Sequence, residues 1–454
     1  MKKLILICSC IYTTTLSYGQ FNMPSFIKVV AEFYSNYSYD EDGSILKFYR
    51  KKEGWFVAEV KYDELGQYRN PSLFWSVKTR KFLPLSYPGA TMDSAARFKT
   101  ATRYLTQVDW TYEEYPFSRN IYYGYPGWDW DVINDYPELQ SGNDTLLESQ
   151  GRAYSNYASG FIAEQFGDLF INNDTDRVPL KPTEKVSESR IKKFISYELK
   201  SIAAYTKLME ENPGFETRVG NIRIKCANEY MFMYCDLMMA GDAARAVKFA
   251  GNAVYPDSLL QLAAGFLNAA PPKSILITNG DNDTYPLWYL QEIKKKRTDV
   301  IVLNYSLIGF KNYLAMVDKK YRHTLFSTPQ SIYIKDNFDY SVYSNKDNKE
   351  VSISVQDLLS GLNKNSNPFS SSNDLYKNEP LKSYYARNVF FQNEKSEKSA
   401  LIKLGPYLIM SDFVLLDMLN KNKGRNTYFT FRNDFLQELL VEQGVLYKVD
   451  LWRH

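Results

Sequence analysis

Histidine is nearly missing from this chain: 454 residues contain two. With His323 in a charged Tyr-Arg-His setting and His454 at the terminus, a histidine-centred triad or a His-ligated zinc site is close to excluded. Cysteine is almost as scarce. Cys8 and Cys10 fall in the leading segment, leaving Cys226 and Cys235. On one continuous helix their nine residues of rise amount to ~13 Å, beyond the reach of a disulfide, so buried free thiols are expected. No serine sits in a nucleophile elbow, and neither a Walker loop nor G-x-G-x-x-G occurs. Past the leader, no run approaches the ~20 apolar residues of a membrane span, so none is expected in the mature chain. An excess of one charge is lacking too. The net charge of +3 falls to +1 without Lys2 and Lys3, so no polyanion-binding field arises and nucleic acid is not an expected partner.

What is present is aromatic. Aromatic residues make up 16% of the chain, with 37 Tyr and 27 Phe. Two readings stay open: half-exposed β surface with polar-aromatic packing, or a face that binds carbohydrate or peptide. Lys2 and Lys3, the apolar Leu4 to Ile11 and the small residues ending at Ser17-Tyr18-Gly19 form a secretory leader over residues 1–19, with cleavage expected before Gln20. A lipidated Cys10 is the alternative start.

Beyond the leader, three stretches follow from the patterning. Residues 20–180 read as an aromatic-rich α+β segment. Lys47 to Tyr49, Trp55 to Tyr62, Phe74 to Val77 and Phe82 to Leu85 are expected short antiparallel strands, while Met92 to Val108 and Asp144 to Phe170 have helical spacing. Between them Tyr112 to Tyr136 is expected as a loop. Its Trp128 and Trp130, with Asp129 and Asp131, make either a sugar-stacking surface or an ordered loop held by its own rings. Residues 181–270 read as helical. Asp242 and Asp257 are expected in cap positions, and Ala246, Ala250 and Ala253 sit at close-packing places followed by Pro256, which resembles a degenerate tetratricopeptide repeat. Residues 271–454 read as an α/β domain with a mostly parallel, Rossmann-like sheet, interrupted by a polar insertion at about 336–380.

The last stretch is organised by Lys273 to Phe310. Ser274 to Thr278 is a buried strand ending at Asn279-Gly280, Thr284 is expected to cap a helix with Pro286 in its first turn, and Asp299 to Leu303 is a second buried strand. Strand, crossover helix and strand make a βαβ unit, and ligands of such sheets sit outside the carboxyl ends of the strands. The candidate site is therefore Asn279, Asp281, Asn282, Asp283, Thr284, Asn304 and Ser306. Asp281 and Asp283 either hold a divalent cation or hydroxyl-rich ligand, or cap the helix and shape the turn.

The run TNGDNDTYPLWYLQEIKKKRTDVIVLNYSLI, followed by SDFVLLDMLNKNKGRNTYFTF and FLQELLVEQGVLYKVDL, resembles the soluble C-terminal domain of bacterial membrane proteins classed as protein O-mannosyltransferase-like, over roughly Pro271 to His454. Two departures stand out. Arg425-Asn426-Thr427 occupies the place where that family tends to have Arg-Pro, and the family's polytopic sugar-transferring domain has no counterpart in this sequence. The resemblance implies fold and lineage, without the transferase activity.

The sequence-level expectation is thus an exported envelope or cell-surface binding or scaffold protein with protein partners, needing no cofactor and no metal. The alternative is a glycan-active enzyme, or a soluble accessory subunit of a membrane glycosyltransferase, using the Asp281/Asp283 loop. Asp93-Ser94-Ala95, Asp144-Thr145-Leu146 and Asp257-Ser258-Leu259 also resemble the acceptors of periplasmic O-glycosylation.

Overall fold

A tight turn at Lys52-Glu53 sets the first layer. It pairs β1 (Ser44–Lys51) with β2 (Gly54–Lys61) in register from Ser44↔Lys61 to Lys51↔Gly54. Gly54 has φ 143, and a Cβ there would lie 1.8 Å from the Trp75 carbonyl oxygen of the next strand, so only glycine fits. β3 (Tyr68–Ser76) and β4 (Lys81–Phe82) complete a four-stranded antiparallel sheet, in line with the alternating aromatic pattern. Helix α1 (Phe26–Asn36) buries Phe26, Val29 and Phe33 against Phe48, Trp55 and Phe74. The structure, a computed structural model, describes residues 23–37, 44–61, 68–85, 125–164, 173–181, 184–217, 219–326, 340–343, 351–364, 382–384, 386–405 and 407–452. The expected leader, the Met92 to Val108 helix, the Asp93-Ser94-Ala95 tripeptide and the start of the Tyr112 to Tyr136 loop lie outside the described residues.

The end of that aromatic loop is a helix, α2 (Trp128–Asp135), and this corrects the expectation of a loop. Trp128, Val132 and Tyr136 recur every four residues, and all three are buried in the core shared with α1 and the first sheet. Trp128 is therefore no surface for sugar. Trp130 is half-buried and stacks on Tyr157 at 5.0 Å between ring centroids. Asp129, fully buried, pairs with the equally buried Arg177 at 3.2 Å, and the Arg177 guanidinium lies 4.0 Å over the Tyr157 ring. Burial pushes the Asp129 carboxyl up, and Arg177 offsets part of that.

A helical layer follows: α3 (Asp144–Ser159), α4 (Glu188–Glu211), a short hairpin of β5 (Glu216–Thr217) and β6 (Gly220–Asn221), α5 (Ile222–Met239), α6 (Ala243–Ala250) and α7 (Asp257–Ala269). Side chains of Asn143, Ser187, Asn221 and Asp242 accept backbone N–H bonds at four of the helix starts. Asp257 does not cap. Pro256 occupies the cap position of α7, and Asp257 is the first helical residue, where its charge suits the helix dipole. Ala246, Ala250 and Ala253 are buried, as close helix packing requires.

The C-terminal region is mixed α/β. β7 (Ile275–Thr278), α8 (Asp281–Glu292) and β8 (Ile301–Asn304) form the expected parallel unit, with Ile275 opposite Ile301. After α9 (Lys311–Lys320) come β9 (Tyr340–Tyr343), β10 (Ser352–Ser354), α10 (Val355–Lys364), β11 (Lys382–Tyr384), β12 (Asn388–Phe390), β13 (Ile402–Lys403) and β14 (Tyr407–Ile409). These strands make two separate small sheets, ordered β10-β12-β13 and β11-β9-β14, so the stretch from Ala400 to Leu408 stands apart from the main sheet. α11 (Met410–Lys421) leads back to it through β15 (Thr427–Phe429), and β16 (Leu440–Gln443) and β17 (Leu446–Val449) finish it in the order β16-β17-β15-β7-β8. The sheet is mixed rather than mostly parallel. β15, β7 and β8 run parallel, but Gly444-Val445 joins β16 to β17 in a two-residue turn that only antiparallel strands can use. One hydrophobic cluster runs from Tyr157 through the helical layer to Leu451, joining α4, α5 and α7 to this sheet.

Candidate functional site

The chain leaves β7 at Thr278 and turns on Gly280, whose φ of 77 is a conformation other residues avoid. Gly280 stands at the cap of α8. Thr284, expected as the cap, is instead the fourth helical residue and fully buried. Its hydroxyl donates to the Gly280 carbonyl at 2.7 Å and lies 2.6 Å from the Thr278 hydroxyl, so it buckles the helix to the strand. Pro286 falls inside the helix, in the second turn and not the first. Lys294 to Arg297 lie beyond the helix. α8 ends at Glu292, and Arg297 reaches across to the Leu267 and Ala270 carbonyls at the end of α7.

The two carboxylates of the loop turn apart. Asp283 accepts bonds from the Asn279 backbone N–H and, at 3.4 Å, from the Thr430 hydroxyl just past β15. Asp281 turns toward α5, among Lys225, Glu229 and Tyr285. Burial raises both, and Lys225 partly offsets the rise at Asp281. Their hydrogen-bond partners and neighbouring charges do not overlap, so they do not converge on one ion. Among the described residues, no group of three His, Cys, Asp or Glu is placed to hold a metal.

The other candidates act as stitching. The Asn282 side chain donates to the Val219 carbonyl at 2.7 Å and accepts from Asn228 at 2.8 Å, while Tyr255 donates to Asn228 at 2.9 Å. These bonds fix the loop to the helical layer. Ser306 donates to the Asn279 side chain at 2.6 Å, and the buried Asn304 side chain accepts from the Ser306 backbone at 2.9 Å. Asn279, Asn304 and Ser306 are thus brought together, whereas Asp281 and Asn282 leave the strand ends.

Sequence reasoning missed four neighbours of this region. Thr430 follows the third parallel strand, and a parallel placement of β15 beside β7 would have pointed to it. Tyr305 follows β8 and donates to Asp412 at 3.4 Å; burial and the Asp412 charge push its hydroxyl up to about 12. Asp236, on α5, carried no sequence signal. Burial, reinforced by the nearby Asp281, pushes it up to about 8.

The helical layer holds further acids. Glu198 is fully buried and raised well above the carboxylate range by burial and by Glu229 beside it. Burial also works against the Glu229 charge, yet Lys225 beside it holds that carboxyl below the usual range.

Two cavities open onto these helices. A groove of about 680 Å³ lies between α4, α5 and the α6–α7 connection, lined by Met209, Glu210, Arg223, Tyr230, Val254 and Asp257 among others. A second, of about 300 Å³, lies on the Asp236 side of α5. His323 is exposed, close to Asp318, and belongs to neither lining. Cys226 and Cys235 are buried free thiols, as expected from their spacing.

Residues 259–449 match the family model of a TMEM260-associated domain 2. The match begins in α7 and ends at the last residue of β17, so it takes in the main sheet and all seven strand-end candidates. No curated protein and no solved structure matches the chain. Among the described residues, no helix is long and apolar enough to cross a membrane.

Proposed function

We propose that this chain is an exported binding component of the cell envelope or cell surface that engages protein partners through its helical layer. The groove between α4, α5 and the α6–α7 connection carries the reading. Met209, Tyr230 and Val254 offer apolar contact, with Val254 79% exposed, and Glu210, Arg223 and Asp257 offer charges of both signs. Apolar anchoring with charges to set register suits a protein segment. The α5–α6 pair with its buried alanines supports a repeat-like origin for this layer, and the β7–α8–β8 unit supports a Rossmann-like ancestry for the sheet, with the β16–β17 hairpin added at one edge. The carboxylates of the strand-end loop, being engaged in structural bonds, favour binding over catalysis. Export rests on the Lys-apolar-small leader and its expected cleavage before Gln20.

The match to a TMEM260-associated domain is loosely consistent with the resemblance to O-mannosyltransferase-like membrane proteins. It favours one second reading, a soluble accessory subunit of a membrane glycosyltransferase, ahead of a glycan-active enzyme. Cross-linking and pull-down from envelope extracts separates the three. A stable complex with other proteins supports the first, and recovery with a polytopic glycosyltransferase supports the second. Sugar turnover that Asp283→Asn abolishes supports the third.

A further inference from the structure

Phe232, Asp236, Met239 and Ala240 lie on one face of α5, at i, i+4, i+7 and i+8, and together they form one wall of the 300 Å³ cavity. Buried Ile162, Leu180 and Val186 close its interior, while exposed Glu184 and Phe310, the latter 41% exposed, stand at its mouth. The lining is apolar apart from Ser159, Asn312 and three acids, and no lysine or arginine contributes to it.

The three acids differ. Glu164 is spent, since its two oxygens accept the Lys311 and Asn312 backbone N–H groups at 2.7 Å each and cap α9. Glu184 lies at the exposed edge. Asp236 is half-buried in the cavity wall, and its neighbours include no hydrogen-bond donor to its carboxylate among the described residues. A half-buried carboxylate without a cation or donor beside it is held at a cost, so the wall has room for a positive partner.

We propose that this cavity binds a small amine, with its ammonium against the Asp236 carboxylate and its apolar body against Phe232, Leu307 and Ile162. An anion would meet three acids and no cation, and a neutral guest would leave Asp236 without a partner. The volume is twice that of an apolar cavity of ~150 Å³ that holds benzene, so a phenyl ring with a two-carbon amine fits. The proposal does not rest on the partner-binding reading, which uses the other cavity.

The test is calorimetric titration of the full chain, above the titration range of Asp236, with 2-phenylethylamine and with 2-phenylethanol, which has the same shape without the charge. The amine should bind about tenfold tighter or more, as a charge-assisted bond in a dry site allows. Asp236→Asn should erase that preference while keeping weak alcohol binding, which shows the cavity intact. Ala163→Phe, filling the cavity, should remove both. Equal affinities for the two probes, or an amine preference that survives either substitution, would overturn the proposal. If Asp236→Asn does not fold, Ala163→Phe decides alone.

Discussion

Asp236→Asn removes the ionisable group of a half-buried side chain and keeps its shape. Burial, with Asp281 adding to it, moves this carboxyl from the ordinary ~4 to about 8. The native state therefore holds a proton that the unfolded chain has released between those two values. Stability falls as pH rises through that window and levels off above it. The rise is roughly four units, and at ~1.36 kcal/mol per unit the ceiling is ~5 kcal/mol. Relaxation and water in the adjoining cavity reduce this, so ~2–3 kcal/mol is the expected penalty at high pH. Asp236→Asn should match the parent near pH ~5 and exceed it by that amount near pH ~8.5. Urea unfolding followed by tryptophan fluorescence across the range reads the difference directly. Asp281→Asn removes the like charge, lowers the Asp236 pKa and should narrow the window. Parallel stability profiles for the parent and Asp236→Asn from pH ~5 to ~8.5 would refute the reasoning.

Three further outcomes follow. Arg177→Met leaves Asp129 buried without its guanidinium and should cost ~3–5 kcal/mol, with the Asp129→Asn/Arg177→Met double variant recovering part of it; additive losses in urea unfolding would contradict the pairing. Asp283→Asn keeps an oxygen for the Asn279 N–H and the Thr430 hydroxyl and should be nearly neutral, whereas Asp283→Ala should cost ~1–2 kcal/mol. A melting temperature that rises with millimolar calcium, magnesium or manganese in the parent, and not in Asp283→Asn, would restore the metal reading. Intact mass of the exported protein should correspond to a chain beginning at Gln20, and a chain starting at lipidated Cys10 or retaining Met1 would show the leader was misread.

The β7–α8–β8 unit was legible because three consecutive apolar residues and a threonine bounded by Asn-Gly leave a buried strand as the simplest solution. The antiparallel strands β1 to β4 were legible for the complementary reason, aromatic alternation between polar turns. The direction of β17 was not, because periodicity tells which face is buried and not which neighbour a strand meets. Trp128 was misjudged because a Tyr-Gly-Pro-Trp cluster reads as a loop, although its i, i+4, i+8 continuation to Val132 and Tyr136 carried the helix. Thr284 was placed at the cap because threonine caps often, yet Gly280 alone accepts the φ that this turn demands. The seven strand-end residues were found by topology, while the buried acids were not found at all. Glu198, Glu229 and Asp236 lie on helices whose charged positions read as solvated faces, and only packing reveals which of them lost their water.

The partner-binding reading is tested most directly by pull-down of tagged, exported protein in two forms, the parent and an Arg223→Glu/Val254→Asp variant of the groove. Both positions face solvent, so the variant should fold and melt like the parent. The account predicts that a defined protein partner cross-links to the parent and is lost, about tenfold or more, from the groove variant. Recovery of the same partners at the same yield by both forms would contradict it.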